Sequence, residues 1–430
     1  MHLKPHSVRL RTSLTIVLIC FAAICFAQET KSVASDTTQT KKVAKKESPF
    51  ATGYYPIAFF DVDLRYFIKY NNYEGFRLGF GGITNERLLA SFKVGGYIAR
   101  GFKDDAFKYS LGGNLRLNKD ARTWVNLYYQ NDISEIGAFK YLTDARIYSV
   151  FEPRLINITQ FYSYRTWRSA VQHEFSSKMI SELRFSQTKI DQIENYQFIS
   201  EGNTYKNYHL TEATLSLRFS PKTTEFFLED ESVEYTDGLP KISAQITQGF
   251  KNVAKGDFNY TKLGLKLDHH IKRFNLSSTK FTLEGDIAFG EVPLTHLFHA
   301  YPNSPTKDEI LQRFSVAGLR GFETMYFGEF FSDRLATLQI KHSLRRFYFS
   351  EKFKPELVFI TRHAYGDMQN REEHLGIDFG TLDEFYSESG LELNRILFGF
   401  GLSIAYRYGF YHLPDFEDNV SFKFTFKLKI

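Results

Sequence analysis

The side chains that could do chemistry are few and scattered. His269 and His270 are adjacent, and His296-x-x-His299 sets two more imidazoles three residues apart. A zinc site needs three or four donors converging on one point. The first pair falls at a strand end, where neighbouring side chains face opposite ways, and the second has no Asp or Glu at ligand spacing. Both pairs are therefore read as ordinary polar histidines, and no metal or other cofactor is expected. Glu229-Asp230-Glu231 reads as a solvated acidic loop rather than a calcium site. Neither Gly-x-Ser-x-Gly nor His-Glu-x-x-His occurs, so no nucleophile elbow or zinc-peptidase helix is present to argue for catalysis. The only thiols are Cys20 and Cys25, both in an apolar N-terminal stretch. The rest of the chain can hold neither a disulfide nor a Cys-ligated zinc, which suits an oxidising compartment.

That N-terminal stretch reads as a secretory signal peptide over 1–27. Lys4, Arg9 and Arg11 precede an uncharged run from Leu14 to Phe26, and Cys25-Phe26-Ala27 offers small residues around a cleavage point after Ala27. The run of about 13 residues is too short for a spanning helix, which needs about 20. An Ile before each cysteine argues against lipid attachment at Cys20 or Cys25. Residues 28–49, rich in Lys, Thr and Ser, read as a disordered linker. Lys41-Lys42 and Lys45-Lys46 belong to it as solvated charges. From residue 50 the texture is uniform to Ile430, which makes 50–430 one domain.

What positions any functional group there is a membrane β-structure. The chain carries 44 Phe and 26 Tyr, yet its mean hydropathy is −0.32. A helical membrane protein would be strongly apolar. A barrel needs many aromatics on a chain polar on average, because lipid lies outside and polar groups inside. The net charge of +5 gives no case for a nucleic-acid partner. Period-two alternation is the dominant pattern. Phe422, Phe424, Phe426, Leu428 and Ile430 alternate with Ser421, Lys423, Thr425, Lys427 and Lys429. Phe281, Leu283, Ile287 and Phe289 alternate with Thr282, Glu284, Asp286 and Ala288. Successive strand residues face opposite sides, so one face meets lipid and the other the lumen.

About 16 such segments can be placed, near 62–70, 75–83, 88–99, 106–117, 122–132, 157–175, 177–189, 208–220, 241–251, 256–271, 277–289, 331–346, 355–366, 385–394, 395–409 and 419–430. The fold class expected is all-β: a transmembrane antiparallel β-barrel. An open sheet edge cannot stand in hydrocarbon, so the first and last strands must pair. Turns such as Thr84-Asn85-Glu86-Arg87 and Asn118-Lys119-Asp120 are expected at one rim. The longer connections 133–156, 190–207, 221–240, 290–330 and 367–384 are expected mainly at the other.

The longest connection, 290–330, contains Leu319-Arg320-Gly321-Phe322 and precedes five strands. This layout resembles the bacterial surface antigen superfamily of BamA-type assembly barrels and two-partner-secretion transporters. The resemblance implies that the loop folds into the lumen. Arg320 would bond an inner-wall carboxylate, Gly321 would permit the turn, and Phe322 would pack beside it. Glu284, Asp286 and Glu392 are the candidate partners of Arg320 by inward parity. A closer resemblance is to a Bacteroidetes family of outer-membrane barrels often placed behind a carboxypeptidase-like regulatory domain. It rests on Tyr73-Glu74-Gly75-Phe76-Arg77-Leu78-Gly79, Gly256-Asp257-Phe258-Asn259-Tyr260-Thr261 and Glu329-Phe330-Phe331-Ser332-Asp333-Arg334. One departure is informative. Where the superfamily offers Phe-x-Asp-x-Gly to receive the loop arginine, this chain has Phe359-Ile360-Thr361-Arg362-His363. No periplasmic substrate-handling repeats and no regulatory domain are read before residue 50.

The expected protein is a non-enzymatic barrel of the bacterial outer membrane, related to assembly and translocation barrels. Its partners would be outer-membrane lipid and other envelope proteins. A passive channel and an outer-membrane hydrolase with dispersed catalytic groups are the alternatives.

Overall fold

A computed structural model describes residues 53–117, 122–143, 153–222, 224–227, 233–236, 238–305, 315–318, 320–350, 353–397 and 399–426. The expected signal peptide (1–27), the linker (28–49), Leu319, the Asn118-Lys119-Asp120 turn and Glu229-Asp230-Glu231 lie outside them.

One antiparallel sheet dominates. Its staves follow the chain: β1 (Phe60–Asp63, resumed at Ile68–Asn71), β2 (Gly75–Thr84), β3 (Phe92–Gly101), β4 (Phe107–Arg116), β5 (Thr123–Glu135), β6 (Phe161–Ser176), β7 (Met179–Gln192) and β8 (Asn207–Phe219). The series continues with β9 (Lys241–Gly249), β10 (Tyr260–Lys272), β11 (Ser278–Gly290), β12 (Arg334–Ser343), β13 (Glu356–Asp367), β14 (Tyr386–Leu397), β15 (Phe400–Gly409) and β16 (Val420–Phe426). Each pairs with the next, from β1 against β2 through β15 against β16. The two pieces of β1 lie along the same edge of β2, so they count as one interrupted stave, and a short strand, Tyr54–Ile57, pairs with the other edge of the first piece as one member more than the sixteen expected. A 3-10 turn at Leu64–Tyr66 makes the break and turns Tyr66 inward to stack on Tyr97 with centroids 4.1 Å apart.

Burial separates the two faces as parity requires. On β16, Phe422 and Phe424 are exposed, 49% and 36%, whereas Lys423 and Thr425 are buried. On β11, Leu283 and Phe289 are exposed while Glu284 and Asp286 are buried. Apolar outside and charged inside is the reverse of a water-soluble barrel and is the arrangement that lipid selects. Tyr109, Tyr129 and Trp167 continue one another as a ring-to-ring row on the outer faces of β4, β5 and β6, at 6.1 and 4.8 Å. Such aromatic rows mark the edge of an apolar band. No helix among the described residues is long and apolar enough to span a membrane.

Strand direction alternates, so the rims follow from parity. One rim has the connections 85–91, 117–122, 177–178, 273–277, 344–355 and 398–399. The other has 136–160, 193–206, 250–259, 291–333, 368–385 and 410–419. The 220–240 connection differs from expectation. Eight staves precede it, which puts it at the short-turn rim, where it carries its own hairpin of Thr224–Phe227 and Val233–Thr236. The expected 395–409 strand is likewise divided, because Gly399 takes φ +87° and turns β14 into β15.

The hydrophobic core lies within the barrel toward the long-loop rim. Ile136, Phe198, Phe258, Phe298, Phe322, Phe331 and Phe379 belong to it, mostly from loops rather than from staves. The loop 291–333 also reaches the edge of β16 that faces away from β15. The Phe424 N–H donates to the Ser315 carbonyl at 3.1 Å, and the Ala317 N–H donates to the Phe424 carbonyl at 2.8 Å. Val316 thus forms a parallel bridge with Phe424.

Candidate functional site

The loop 291–333 enters the lumen and runs back through a short parallel pair, Pro302–Ser304 beside Phe322–Tyr326. Its conspicuous arginine stands near the wall of β11. Arg320 Nη1 lies 3.5 Å from Glu284 Oε1 on β11, and the Arg320 side chain keeps 37% of its exposure. The Arg320 carbonyl accepts a bond from the Gln339 amide on β12. Gly321 is required by a close approach, since a Cβ there would sit 2.7 Å from the Asn303 Cβ. Phe322 is fully buried and meets Tyr386 edge-on at 5.7 Å.

The firm anchor comes next along the chain. Glu323 is 1% exposed and lies 2.9 Å from Lys423 Nζ on β16 and 3.7 Å from Arg362 Nη2 on β13. Its Oε2 also accepts from Asn303 Nδ2 at 2.7 Å, and its Oε1 accepts from the Gly318 N–H at 3.0 Å. Glu388 on β14 completes the set. It accepts from Arg362 Nη1 at 2.6 Å, from the backbone N–H of Glu323 and Thr324 at 2.9 Å each, and from Thr324 Oγ1 at 2.6 Å. Two carboxylates and two cations thus form a buried, charge-balanced quartet. A buried carboxylate persists only when charges and hydrogen bonds surround it, and here the donors include the loop backbone itself. One sequence signal pointed here: Arg362 stands where the resembled superfamily places an acid. The complementary acid, Glu323, sits on the loop, so the polarity of the anchor is inverted relative to a loop arginine on a wall carboxylate.

Further ties hold the loop and its neighbour. Arg407 on β15 reaches Glu329 at 2.7 Å. Glu135, at the end of β5, receives Arg154 Nη1 at 2.6 Å from one loop and His299 Nε2 at 2.9 Å from the other. The 136–160 connection crosses to the far wall. There the Tyr141 hydroxyl donates to Asp286 at 3.1 Å, the Leu142 N–H to Gln245 at 2.9 Å, and Thr143 meets Ser216 at 3.1 Å. Described residues of two loops therefore reach into the lumen and bond to its wall.

The remaining residues singled out in the sequence fall as follows. Asp286 is taken by Tyr141, and Glu392 lies 3.4 Å from Lys341 and accepts from Asn394 at 2.9 Å. His269 and His270 sit side by side on β10, opposite Phe281 and Lys280. His296 and His299 are separate, the first bonded to Thr295 and the second to Glu135. Among the described residues, no group of three or more His, Cys, Asp or Glu is placed to share a metal.

The chain belongs to the family of unknown function DUF5686, whose C-terminal-domain pattern matches residues 58–287. By sequence, no curated protein matches. Among solved structures it is similar to BamA from Haemophilus ducreyi lacking POTRA domains 1-3, with a TM-score of 0.50 and 10% identity over 83% of this chain and 68% of that one. CdiB from Escherichia coli is also similar, with a TM-score of 0.43 and 10% identity over 82% of this chain and 60% of that one, less than two thirds of its length. The likeness to BamA shows the barrel fold.

Proposed function

We propose that this protein is a non-enzymatic outer-membrane barrel of the assembly and translocation kind, closed at rest by its own loop. The long-loop rim would face outward and the short-turn rim the periplasm, as in bacterial barrels with short periplasmic turns. The observation that carries the reading is the quartet of Glu323, Glu388, Arg362 and Lys423. It welds the loop 291–333 to three members of the wall, β13, β14 and β16, where a passive pore would keep its lumen clear. The BamA-like fold and the apolar outer wall support the same conclusion. Its work in the cell would be envelope assembly or export, with other envelope proteins as partners.

The test is ion conductance of the purified full chain in a planar bilayer. Wild type is expected to show little steady current and Glu323→Gln a larger one. A large, stable open pore in wild type defeats the plugged reading. The cellular role is tested by removing the protein and measuring the heat-modifiable, folded fraction of other outer-membrane proteins. An unchanged fraction and unchanged secretion would rule out assembly and export.

A further inference from the structure

The outer wall at β6–β8 carries a feature that the plugged-barrel reading does not use. Arg165 on β6 lies directly opposite Lys189 on β7, and both side chains face outward. Like charges at directly paired positions repel. They share one carboxylate: Asp191 lies 3.0 Å from Arg165 and 3.1 Å from Lys189. Two cations against one acid leave a net positive spot. The next outward pair down the same two strands is Trp167 opposite Gln187, and the one below is Ser169 opposite Phe185. At about 3.3 Å per residue, the charges sit about 7 Å beyond the tryptophan, toward the long-loop rim.

The 250–259 connection folds down over this stretch of wall. Its Phe250 N–H donates to the Thr211 carbonyl at 2.9 Å. Its Ala254 carbonyl accepts from Gln187 Nε2 at 2.7 Å and from Thr211 Oγ1 at 3.3 Å. Gln187 and Thr211 face outward, and the loop supplies the partner that hydrocarbon would not. Between loop and wall lies a groove of about 450 Å³, lined by Leu127, Trp167, Phe185, Phe250, Val253 and Ala254. That volume is within the ~300–1,000 Å³ of small-molecule sites. Glu212 also borders it, but its carboxylate bonds the Tyr260 hydroxyl at 2.7 Å. Lys255, beside the groove on the same loop, is exposed.

We propose that this groove holds one acyl chain of an anionic phospholipid, with the phosphate at Arg165 and Lys189 and Lys255 beside it. The inference rests on the reading of the outer wall as lipid-facing. Charge complementarity selects the occupant: an apolar groove beside two cations that share a single carboxylate, next to an aromatic row, fits an anionic lipid better than a zwitterionic one.

The chain has two tryptophans, and Trp124 can be replaced by Phe to leave Trp167 alone. The full protein in this Trp124→Phe background is placed in phosphatidylcholine vesicles doped with brominated phosphatidic acid or, separately, brominated phosphatidylcholine. Brominated chains quench tryptophan on contact. Phosphatidic acid is expected to quench Trp167 saturably and at a mole fraction about fivefold or more lower than phosphatidylcholine, since each surface Lys or Arg near an anionic lipid contributes on the order of a fivefold preference. The further changes Arg165→Gln, Lys189→Gln and Lys255→Gln should bring the two curves together, with heat-modifiable migration reporting that the barrel is still folded. Val253→Asn, which leaves the charges alone, should also weaken saturation. Equal quenching by both lipids in proportion to their content overturns the site while leaving the wall in lipid. No quenching by either overturns the lipid-facing reading itself, and the site with it.

Discussion

Glu323 and Lys423 meet at 2.9 Å across 100 residues of chain, both almost fully buried. The pair joins the lumen loop to the last stave. Removing one partner strands the other charge, at a cost of about 3–5 kcal/mol for a buried pair. Glu323→Gln is expected to lower the temperature of the heat-modifiable gel shift and to raise conductance. In a double-mutant cycle with Lys423→Gln, a coupling of about 0.5–3 kcal/mol is expected; additive losses would mean that the two residues act independently.

Arg320 and Arg362 make opposite predictions although both are arginines facing loop or wall acids. Arg320 is partly exposed and 3.5 Å from the buried Glu284, which also has Lys266 at 3.6 Å, so Arg320→Ala leaves that carboxylate a cation and should cost about 1–2 kcal/mol. Arg362 is buried against Glu388 at 2.6 Å, so Arg362→Ala should cost several times more, about 3–5 kcal/mol. Urea midpoints of the folded band on gels compare the two. Equal midpoints would return the anchoring role to Arg320.

Gly321 packs against Asn303 with no room for a methyl group. Gly321→Ala is expected to cost about 1–3 kcal/mol by overpacking. Asn303→Gly, which removes the Cβ that the new methyl would meet, should recover part of the steric loss while sacrificing the Asn303 bond to Glu323. The readout is the same thermal shift, and a neutral Gly321→Ala would show that the loop relaxes freely.

Acid should loosen the outer cap. His374, in the 368–385 connection, is buried among Tyr196, Phe198 and Phe379, and burial pushes its pKa down to about 4. Its ordinary value is 6.5, so the unfolded loop binds more protons than the folded one between these values. The contribution to stability is complete above about pH 6.5 and falls away as pH drops toward 4. Hydrogen exchange at 194–206 and 368–380 should accelerate from pH 7 to pH 4.5, after correction for intrinsic rates. In His374→Phe that extra acceleration should vanish.

Much of the barrel was legible because one constraint governs every stave. Each strand must alternate, so Lys423 and Thr425 had to face away from Phe422 and Phe424 wherever the strand lay. The 220–240 connection lies at the short-turn rim despite its length, because strand parity and not length decides the rim. The anchor was legible only in part. Arg320 stood out beside a glycine and an aromatic. Glu323 looked like any loop acid, because what makes it an anchor is the meeting of β13, β14 and β16 around it. Such a meeting depends on the way the loop threads the lumen and leaves no periodic trace. The substitution at Arg362 was its one visible sign.

The bridge between Val316 and Phe424 gives the loop a second office. A stopper that merely fills a hole can be drawn out along the axis, leaving the wall intact. Here the stopper is also part of the masonry, for its backbone covers the polar edge of the final stave. An exposed run of N–H and C=O groups invites another strand or costs heavily in hydrocarbon. Withdrawing the loop therefore uncovers the wall's own margin at Phe424, so that opening along the axis and loosening at the side become a single mechanical event.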